Sequence, residues 1–246
     1  MNKLKISDLK QYKDFINIHK QGFDIYFSNA ENNRSFNRST EEGINELQSL
    51  KKEFYVNDVA YVKQIHSDII YEYNDNTKEN FINNEGDGII TNVKNTIIGV
   101  FTADCVPVII VDKKNKVSAA VHSGWRGTIS SITKKTIQKM IDDYSSNVND
   151  IEVYIGPHIR KCCYEVSEEL KQRFVEETKI PENVLFNNRN LSMEECILKD
   201  LRELNVPENS INSIDLCTYC SNEIRLHSYR KSDGAYGRMF AFIILK

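Results

Sequence analysis

Short hydrophobic runs rich in β-branched and aromatic residues recur along the chain, separated by polar turns, a pattern typical of β-strands. The predicted strands cover residues 23–28, 59–66, 69–73, 96–103, 106–111, 117–121, 151–155, 214–217 and 239–245. We expect the runs at 59–66 and 69–73 to pair as a hairpin. The first half of the chain therefore indicates a mixed rather than a purely parallel sheet.

Hydrophobic residues spaced three or four positions apart predict helices between these strands. Thr40 is a suitable N-cap for a helix that places Ile44, Leu47 and Leu50 on one face. A long helix is expected from the glycine turn 124–127 to about residue 144, and further helices are expected to begin near residues 167 and 192. Strands alternating with helices predict the α/β (α+β) class, and the lack of a Pro/Gly/Ser linker predicts a single domain over residues 1–246.

Composition and charge narrow the classes of function. The 246 residues are 40% hydrophobic, which is enough for a sizeable core and too apolar for a disordered chain. The net charge of -3, without a block of like charges, argues against a nucleic-acid partner. The N-terminus becomes charged before a signal-length apolar stretch develops, and Asp104 and Pro107 interrupt the most apolar run. We therefore expect no membrane segment and a cytoplasmic protein whose cysteines are reduced.

Two of the five histidines, and one cysteine, lie at the ends of predicted strands. If His66, Cys105 and His122 meet at one rim, they form a two-His, one-Cys site that suits Zn²⁺ and leaves a fourth position for water. Such a site makes hydrolysis, deamination or group transfer feasible. The alternative is a buried cysteine beside two hydrogen-bonded histidines. A zinc site requires the three side chains to lie within roughly 5 Å of one another.

Several motifs occur in a fixed order along the chain. They are Gln64-Ile65-His66, Ala103-Asp104-Cys105-Val106-Pro107, His122-Ser123-Gly124-Trp125-Arg126-Gly127, Gly156-Pro157-His158-Ile159, Cys163-Tyr164-Glu165-Val166, Asp215-Leu216-Cys217-Thr218-Tyr219-Cys220, Ser228-Tyr229-Arg230 and Gly237-Arg238-Met239. From about residue 59 to its C-terminus the chain closely resembles the bacterial polyphenol oxidase or laccase-domain family. That family is regarded as one of purine nucleoside phosphorylases and is also labelled peptidoglycan editing factor.

The resemblance implies a layered sandwich of mixed sheets with helices on the outside. It also implies that His66, Cys105 and His122 bind zinc. The implied reaction is phosphorolysis of adenosine, inosine or methylthioadenosine to the base and ribose 1-phosphate, with a separate adenosine deaminase activity. A purine nucleoside and phosphate are the expected partners, whereas no feature of the sequence specifies the oligomeric state.

Further site residues follow from the same motifs. Asp104 is expected to carry a proton or to orient a ligand, the alternative being a hydrogen bond to a turn at the end of a strand. Arg126, with the backbone N–H groups of residues 124–127, suits phosphate. Gln64 and His158 are expected to contact substrate, although His158 also fits an exposed loop. The segments Tyr229-Arg230 and Tyr236-Gly237-Arg238 are expected either to close over a purine or to form a surface loop.

The sequence departs from the family in an early loop. Relatives commonly carry an Arg-x-Gly-Gly loop after a strand that ends in Phe-Ser or Phe-Thr, whereas here Phe27-Ser28 leads into the neutral-to-acidic segment 29–33. Ser123 also replaces a common alanine. If the missing arginine holds phosphate in relatives, phosphorolysis is weakened here or is supported by Arg34 or Arg38.

Two metal hypotheses receive little support from the sequence. Multicopper oxidase chemistry needs many more imidazole ligands than the five histidines supply, although Cu²⁺ is a possible occupant of the His66, Cys105 and His122 site. Cys217 and Cys220, with the adjacent Cys162 and Cys163, suggest a tetrathiolate site. Adjacent cysteines are awkward paired ligands, however, so we expect packed, reduced thiols or a redox-labile Cys217–Cys220 pair.

Two other functions remain open. Cys105 as nucleophile with His122 as base would give a metal-free hydrolase or amidase, which fits an enzyme that edits peptidoglycan precursors. A binding protein without turnover is the third possibility, supported only by the altered 29–33 loop. Sensitivity to chelators separates the zinc hypothesis from the nucleophile hypothesis.

Overall fold

The computed structural model describes residues 1–234 and 237–246 of the chain. The strands are Asn2–Leu4 (β1), Lys10–Tyr12 (β2), Phe15–Lys20 (β3), Phe23–Ser28 (β4), Asp58–Ala60 (β5), Ile70–Glu72 (β6), Gly88–Thr91 (β7), Thr96–Thr102 (β8), Val106–Asp112 (β9), Val117–Ser123 (β10), Ile151–Ile155 (β11), Phe186–Asn187 (β12), Asn190–Leu191 (β13), Ile211–Ile214 (β14) and Met239–Leu245 (β15). The α-helices are Glu41–Glu53 (α1), Trp125–Ile129 (α2), Ile132–Tyr144 (α3), Glu168–Thr178 (α4), Glu182–Leu185 (α5), Met193–Glu203 (α6) and Tyr229–Ser232 (α7).

Most strands belong to two mixed sheets. One sheet has the order β2-β3-β4-β15-β8-β5, and the other has the order β1-β14-β11-β9-β10-β7-β6. In the first sheet β15 is antiparallel to both of its neighbours, whereas β5 is parallel to β8. In the second, β9 is antiparallel to β10 and β11, whereas β11 is parallel to β14. The expected mixed sheets are confirmed.

Alternating side chains place each sheet between two apolar layers. Along β8, Ile98 and Val100 pack between the two sheets, whereas Ile97 and Phe101 pack on the opposite face with Leu47 and its neighbours from α1. The far face of the second sheet packs against a cluster to which α3, α4 and α6 contribute. The order of layers is helix, sheet, sheet, helices, which is the expected sandwich with outer helices.

Three local expectations are wrong. Residues 61–69 leave the first sheet and cross to the second, so β6 pairs in parallel with β7 instead of forming a hairpin with β5. The long helix predicted up to residue 144 is broken between α2 and α3, where Ser131 has a φ of 55°. The strand expected at 214–217 lies at Ile211–Ile214, because β14 is aligned by its pairing with β1 and β11.

Predictions based on capping residues hold more closely. The Thr40 hydroxyl accepts a hydrogen bond from the Gly43 N–H at 3.1 Å, and the Ser192 hydroxyl accepts one from the Glu195 N–H at 3.3 Å. Among the described residues, no helix combines the length and the apolar character needed to cross a membrane.

Candidate metal centre and cavity

The predicted trio lies where the chain passes between the two sheets. His66 belongs to the crossing from β5 to β6, and Cys105 belongs to the turn between β8 and β9. His122 is near the end of β10, on the same side of that strand as Ala120, which packs between the sheets. Residues far apart in sequence therefore meet at one rim because both crossings occur there.

The three side chains converge as predicted. The ligand atoms of His66, Cys105 and His122 all lie within 4.8 Å of one another, and Cys105 Sγ is 3.9 Å from His66 Nε2. A tetrahedral zinc ion with ordinary bond lengths holds sulfur and nitrogen ligands about 3.5 Å apart. His66 is exposed and His122 is buried, so the group is open on one side. The donor set and its spacing fit a zinc ion.

Gly124 is essential to this convergence. A Cβ atom at this position would lie 2.7 Å from His66 Cδ2 and 3.4 Å from both Cys105 Sγ and His122 Cε1. Any side chain there would displace the His66 ring or the backbone. The glycine that begins α2 therefore makes room for the three donors.

Asp87 was not predicted as a site residue, and the signal that could have found it is the acidic glycine segment Glu85-Gly86-Asp87-Gly88. It is fully buried, and its carboxylate lies 2.8 Å from His122 Nδ1. It also accepts hydrogen bonds from the backbone N–H groups of Ile65, His66 and Ser67. Asp87 therefore fixes the His122 ring and holds His66 in its left-handed conformation, with a φ of 60°.

The electrostatics of the trio favour the metal-binding form of Cys105, whereas His122 must release a proton when a metal binds. Burial raises the pKa of the Cys105 thiol, but interactions with His122 and His66 outweigh burial and hold that pKa below its ordinary value. Burial lowers the pKa of His122, whereas Cys105 and Asp87 raise it above its ordinary value. Cys105 is thus held as a thiolate, the form that binds metals.

The trio opens into a cavity of about 490 Å³. Aromatic side chains and cationic side chains line it together with the three donors. The aromatic residues are Phe101, Trp125, Tyr164 and Tyr229, and the cationic residues are Arg38, Arg230 and Arg238. A cavity with these walls suits a flat, partly apolar molecule that carries or meets an anion.

Asp104 lies in the cavity wall with both carboxylate oxygens hydrogen-bonded. One oxygen accepts from the Thr218 hydroxyl at 2.6 Å, and the other accepts from the Arg230 backbone N–H at 2.9 Å. Its φ of 138° lies in the region that favours glycine. Asp104 thereby joins the turn that carries Cys105 to the segment that carries Arg230.

The other predicted substrate residues differ in how their side chains are engaged at the cavity. Gln64 lines the cavity, but its side-chain amide donates to the Phe101 carbonyl and accepts from the Phe101 N–H. Tyr229 and Arg230 line the cavity, and the Arg230 guanidinium lies over the Tyr164 ring. Tyr236, the remaining member of the predicted closing loop, lies outside the described residues.

Two predicted residues do not reach the cavity. Arg126 is exposed in the first turn of α2, where its guanidinium lies over the Trp125 ring and is not part of the cavity wall. His158 is buried, with its Nδ1 atom 2.8 Å from the Gly156 carbonyl oxygen, and it is likewise absent from the wall. The exposed-loop alternative for His158 is also wrong, because the Gly-Pro turn folds inwards against Cys217.

The structure separates the two arginines that could replace the missing loop arginine. Arg34 forms ion pairs with Glu46 and Glu53 of α1, which hold it in place. Arg38 lines the cavity. Arg38 is therefore the cation near residues 29–33 that can meet a ligand.

A family model described as multi-copper polyphenol oxidoreductase laccase matches residues 29–246. The chain belongs to this family. The three histidines outside the trio contact other groups. His19 lies beside Asp24, His158 contacts the Gly156 carbonyl, and His227 contacts the Arg34 carbonyl.

Relatives that carry a functional name align with much of this chain. A Clostridium acetobutylicum protein named purine nucleoside phosphorylase is 46% identical over 243 residues, which cover 99% of this chain and 100% of that protein. A Borreliella burgdorferi protein of the same name is 32% identical over 70% of this chain and 74% of its own length.

Solved structures match the fold over nearly the full length. The Bacillus licheniformis hypothetical protein YfiH has a TM-score of 0.86 and 24% identity, covering 96% of this chain and 98% of that one. YlmD from Geobacillus stearothermophilus has a TM-score of 0.84 and 22% identity, covering 97% and 98%. The mixed α/β sandwich is therefore the fold of these proteins too.

Proposed function

We propose that this protein is a zinc-dependent purine nucleoside phosphorylase that cleaves adenosine, inosine and methylthioadenosine to the free base and ribose 1-phosphate. The observation that carries the proposal is the opening of the His66, Cys105 and His122 group into a cavity lined by arginines and aromatic rings. The name of the 46% identical relative supports the same reaction. A second activity, hydrolytic deamination of adenosine to inosine and ammonia, is part of the proposal.

The donor set supports zinc as the resident ion. Two imidazoles and one thiolate are ligands that zinc prefers, and they leave one coordination position open. Cu²⁺ is a competing occupant, because it binds nitrogen and sulfur ligands at least as tightly. When bound, zinc supplies a Lewis acid at the rim of the cavity.

The arginines of the cavity support phosphate as the second substrate. In phosphorolysis a phosphate oxygen bonds to C1′ of the ribose, the bond from C1′ to the base nitrogen breaks, and the base takes up a proton. Arg38, Arg230 and Arg238 line the space where the anion must be held. A guanidinium binds phosphate through paired hydrogen bonds, so these residues would hold and orient the attacking oxygen.

The aromatic residues support a purine ring beside the anion. Tyr229 and Trp125 line the cavity, and aromatic rings of this kind can stack on a purine. Asp104 acts in this proposal as a positioning residue, because its two oxygens hold Thr218 and the backbone of Arg230. That role replaces the proton carrier considered from the sequence.

The cysteine hydrolase hypothesis has weaker support. A Cys105 nucleophile needs a single base, whereas two imidazoles adjoin this thiol. The contact between Asp87 and His122 fits either kind of site. The Clostridium acetobutylicum and Borreliella burgdorferi relatives both carry the name purine nucleoside phosphorylase. A chelator should abolish activity if zinc is required, whereas a metal-free nucleophile would survive the chelator and be lost on thiol alkylation.

Chromatography of adenosine incubated with zinc-loaded protein, with and without phosphate, tests the proposal. We expect adenine and ribose 1-phosphate only with phosphate. Inosine should form under both conditions, and with phosphate part of it should be cleaved further to hypoxanthine. Arg38→Met should raise the KM for phosphate by about tenfold or more while inosine formation continues, because it removes a cavity cation. Arg202→Met, which removes an exposed arginine of α6, is the matched control.

The outcomes separate the parts of the proposal. His122→Ala should lose both products, because it removes a ligand. Inosine without any adenine would retain the deaminase and refute phosphorolysis. A protein with zinc bound by the trio that forms neither product would refute the nucleoside assignment as a whole.

A further inference from the structure

Four cysteines outside the candidate metal centre lie together in the fold. The Sγ atoms of Cys162, Cys163, Cys217 and Cys220 are all within 4.8 Å of one another. Cys162 Sγ and Cys220 Sγ are 3.6 Å apart. These thiols come from two loops that are more than fifty residues apart in sequence, and they share no ligand with the His66, Cys105 and His122 group.

Local backbone geometry explains how adjacent cysteines can both contribute. The backbone N–H groups of Cys163 and Tyr164 donate to the Arg160 carbonyl at 2.9 and 3.0 Å, which closes a tight turn. In an extended strand, side chains at successive positions point to opposite faces. In this turn the side chains of Cys162 and Cys163 instead converge on the same point, which removes the objection drawn from their adjacency.

Cys217 and Cys220 lie in a second turn, which begins three residues after β14. Ser221 N–H donates to the Cys217 carbonyl at 3.0 Å, and Thr218 N–H donates to the His158 carbonyl at 3.1 Å. The first bond closes the turn, and the second fixes it to the loop that carries Cys162.

We propose that Cys162, Cys163, Cys217 and Cys220 bind a structural zinc ion. Zinc–sulfur bonds of about 2.3 Å in a tetrahedron separate the sulfurs by about 3.8 Å, close to the 3.6 Å between Cys162 and Cys220. Binding involves no oxidation, since each thiol that is protonated releases its proton to solvent as its sulfur bonds to zinc. With four protein ligands the ion has no open position, so it serves the fold and not the chemistry.

Of the two loops that this zinc would join, the first lines the cavity and the second supports its wall through Asp104. Ile159 and Tyr164 flank the first pair of cysteines, and Thr218 of the second turn is bonded to Asp104. Asp104 in turn holds the backbone of Arg230. A zinc ion at this position would fix the cavity wall whatever substrate the cavity takes, so the inference does not depend on the proposed reaction.

Metal analysis of the full-length protein and three variants tests the inference. We expect two zinc ions per chain in the unaltered protein and one in His122→Ala, which retains all four cysteines. We expect one in the double variant Cys217→Ser with Cys220→Ser. Cys196→Ser, a buried cysteine outside both groups, should retain two. X-ray absorption of His122→Ala should then report four sulfur neighbours at about 2.3 Å.

The decisive measurement does not require a cysteine variant to fold. If His122→Ala is unstable, the zinc content and X-ray absorption can be measured on His66→Asn, which alters an exposed ligand of the trio. Either variant without zinc, or with nitrogen or oxygen neighbours around zinc, would overturn the inference. So would a Cys162–Cys220 disulfide without zinc in freshly purified protein. Two zinc ions with no product from adenosine would refute only the proposed reaction.

Discussion

Among single residues, Asp87 links the two histidines of the candidate metal centre. One buried carboxylate faces His122 Nδ1 and also gathers the backbone N–H groups around His66. Burial raises the pKa of Asp87, but interactions with His122 and Ser67 outweigh it and keep the pKa below its ordinary value. The charged form is therefore the form that orders both ligands.

We expect Asp87→Asn to weaken zinc binding about 10- to 100-fold, because an amide cannot orient His122 as strongly and presents an N–H group to the backbone donors. Competition with a chromogenic chelator measures the affinity. Asp112→Asn is the matched control, since Asp112 is equally buried and accepts backbone N–H groups in a remote turn. Equal losses in both variants would mean that Asp87 stabilises only the fold.

At the scale of elements, the break between α2 and α3 departs most from the sequence pattern. Hydrophobic spacing favours one helix, but Ser131 adopts a left-handed conformation and its hydroxyl donates to Asp200 of α6 at 2.9 Å. Burial raises the pKa of Asp200 to about 6 despite that hydrogen bond. The contact between α3 and α6 thus contains a carboxylate that resists ionisation.

This carboxylate should make stability depend on pH. Near pH 4 Asp200 is largely neutral in the folded chain, and its burial lowers the free energy of unfolding only a little. As pH rises from about 4 to 6, Asp200 ionises in the unfolded chain but stays largely neutral in the folded chain, so the free energy of unfolding falls and then levels off above pH 6. Asp200→Asn should remove this penalty and raise the free energy of unfolding at pH 8 by about 1–3 kcal/mol.

Urea denaturation at pH 5 and pH 8 measures the effect, and the gain from Asp200→Asn should be larger at pH 8. Asp142→Asn, at an exposed position of α3, should change the free energy of unfolding little at either pH. A gain of the same size at both pH values would show that packing, and not ionisation, is responsible.

At the scale of the whole molecule, the trio lies where the chain crosses between the sheets. An ion held by His66, Cys105 and His122 would therefore connect the crossing from β5 to β6, the turn between β8 and β9, and the end of β10. Ligands that bind only the folded state stabilise that state.

We expect zinc added to metal-depleted protein at about 100 times its Kd to raise the Tm by roughly 5–10 °C through the trio, since about 2.7 kcal/mol of linkage acts on a chain of this size. Calorimetry measures the shift. His66→Asn should lose this part of the shift, whereas His19→Ala, which alters an exposed histidine beside Asp24, should keep it. An undiminished shift in His66→Asn would place the stabilising ion elsewhere.

Sequence patterns alone were enough to predict the class of fold, about half of the strands, the capped helices α1, α4 and α6, and the candidate metal trio. Strands and helices follow from periodicity and capping residues, which involve positions close together in the chain. The trio follows from the types of ligand found at the ends of predicted strands. The family motifs led to the proposed reaction, because their order along the chain can be recognised without knowing which residues are in contact.

Which residues meet depends on the tertiary structure. It brought Asp87 to His122, placed Arg38 in the cavity and left Arg126 and His158 outside it. It also gathered the cysteines of two distant loops into one group. These outcomes depend on where the chain crosses between sheets and how its turns are closed, and such long-range pairing leaves no period in the sequence.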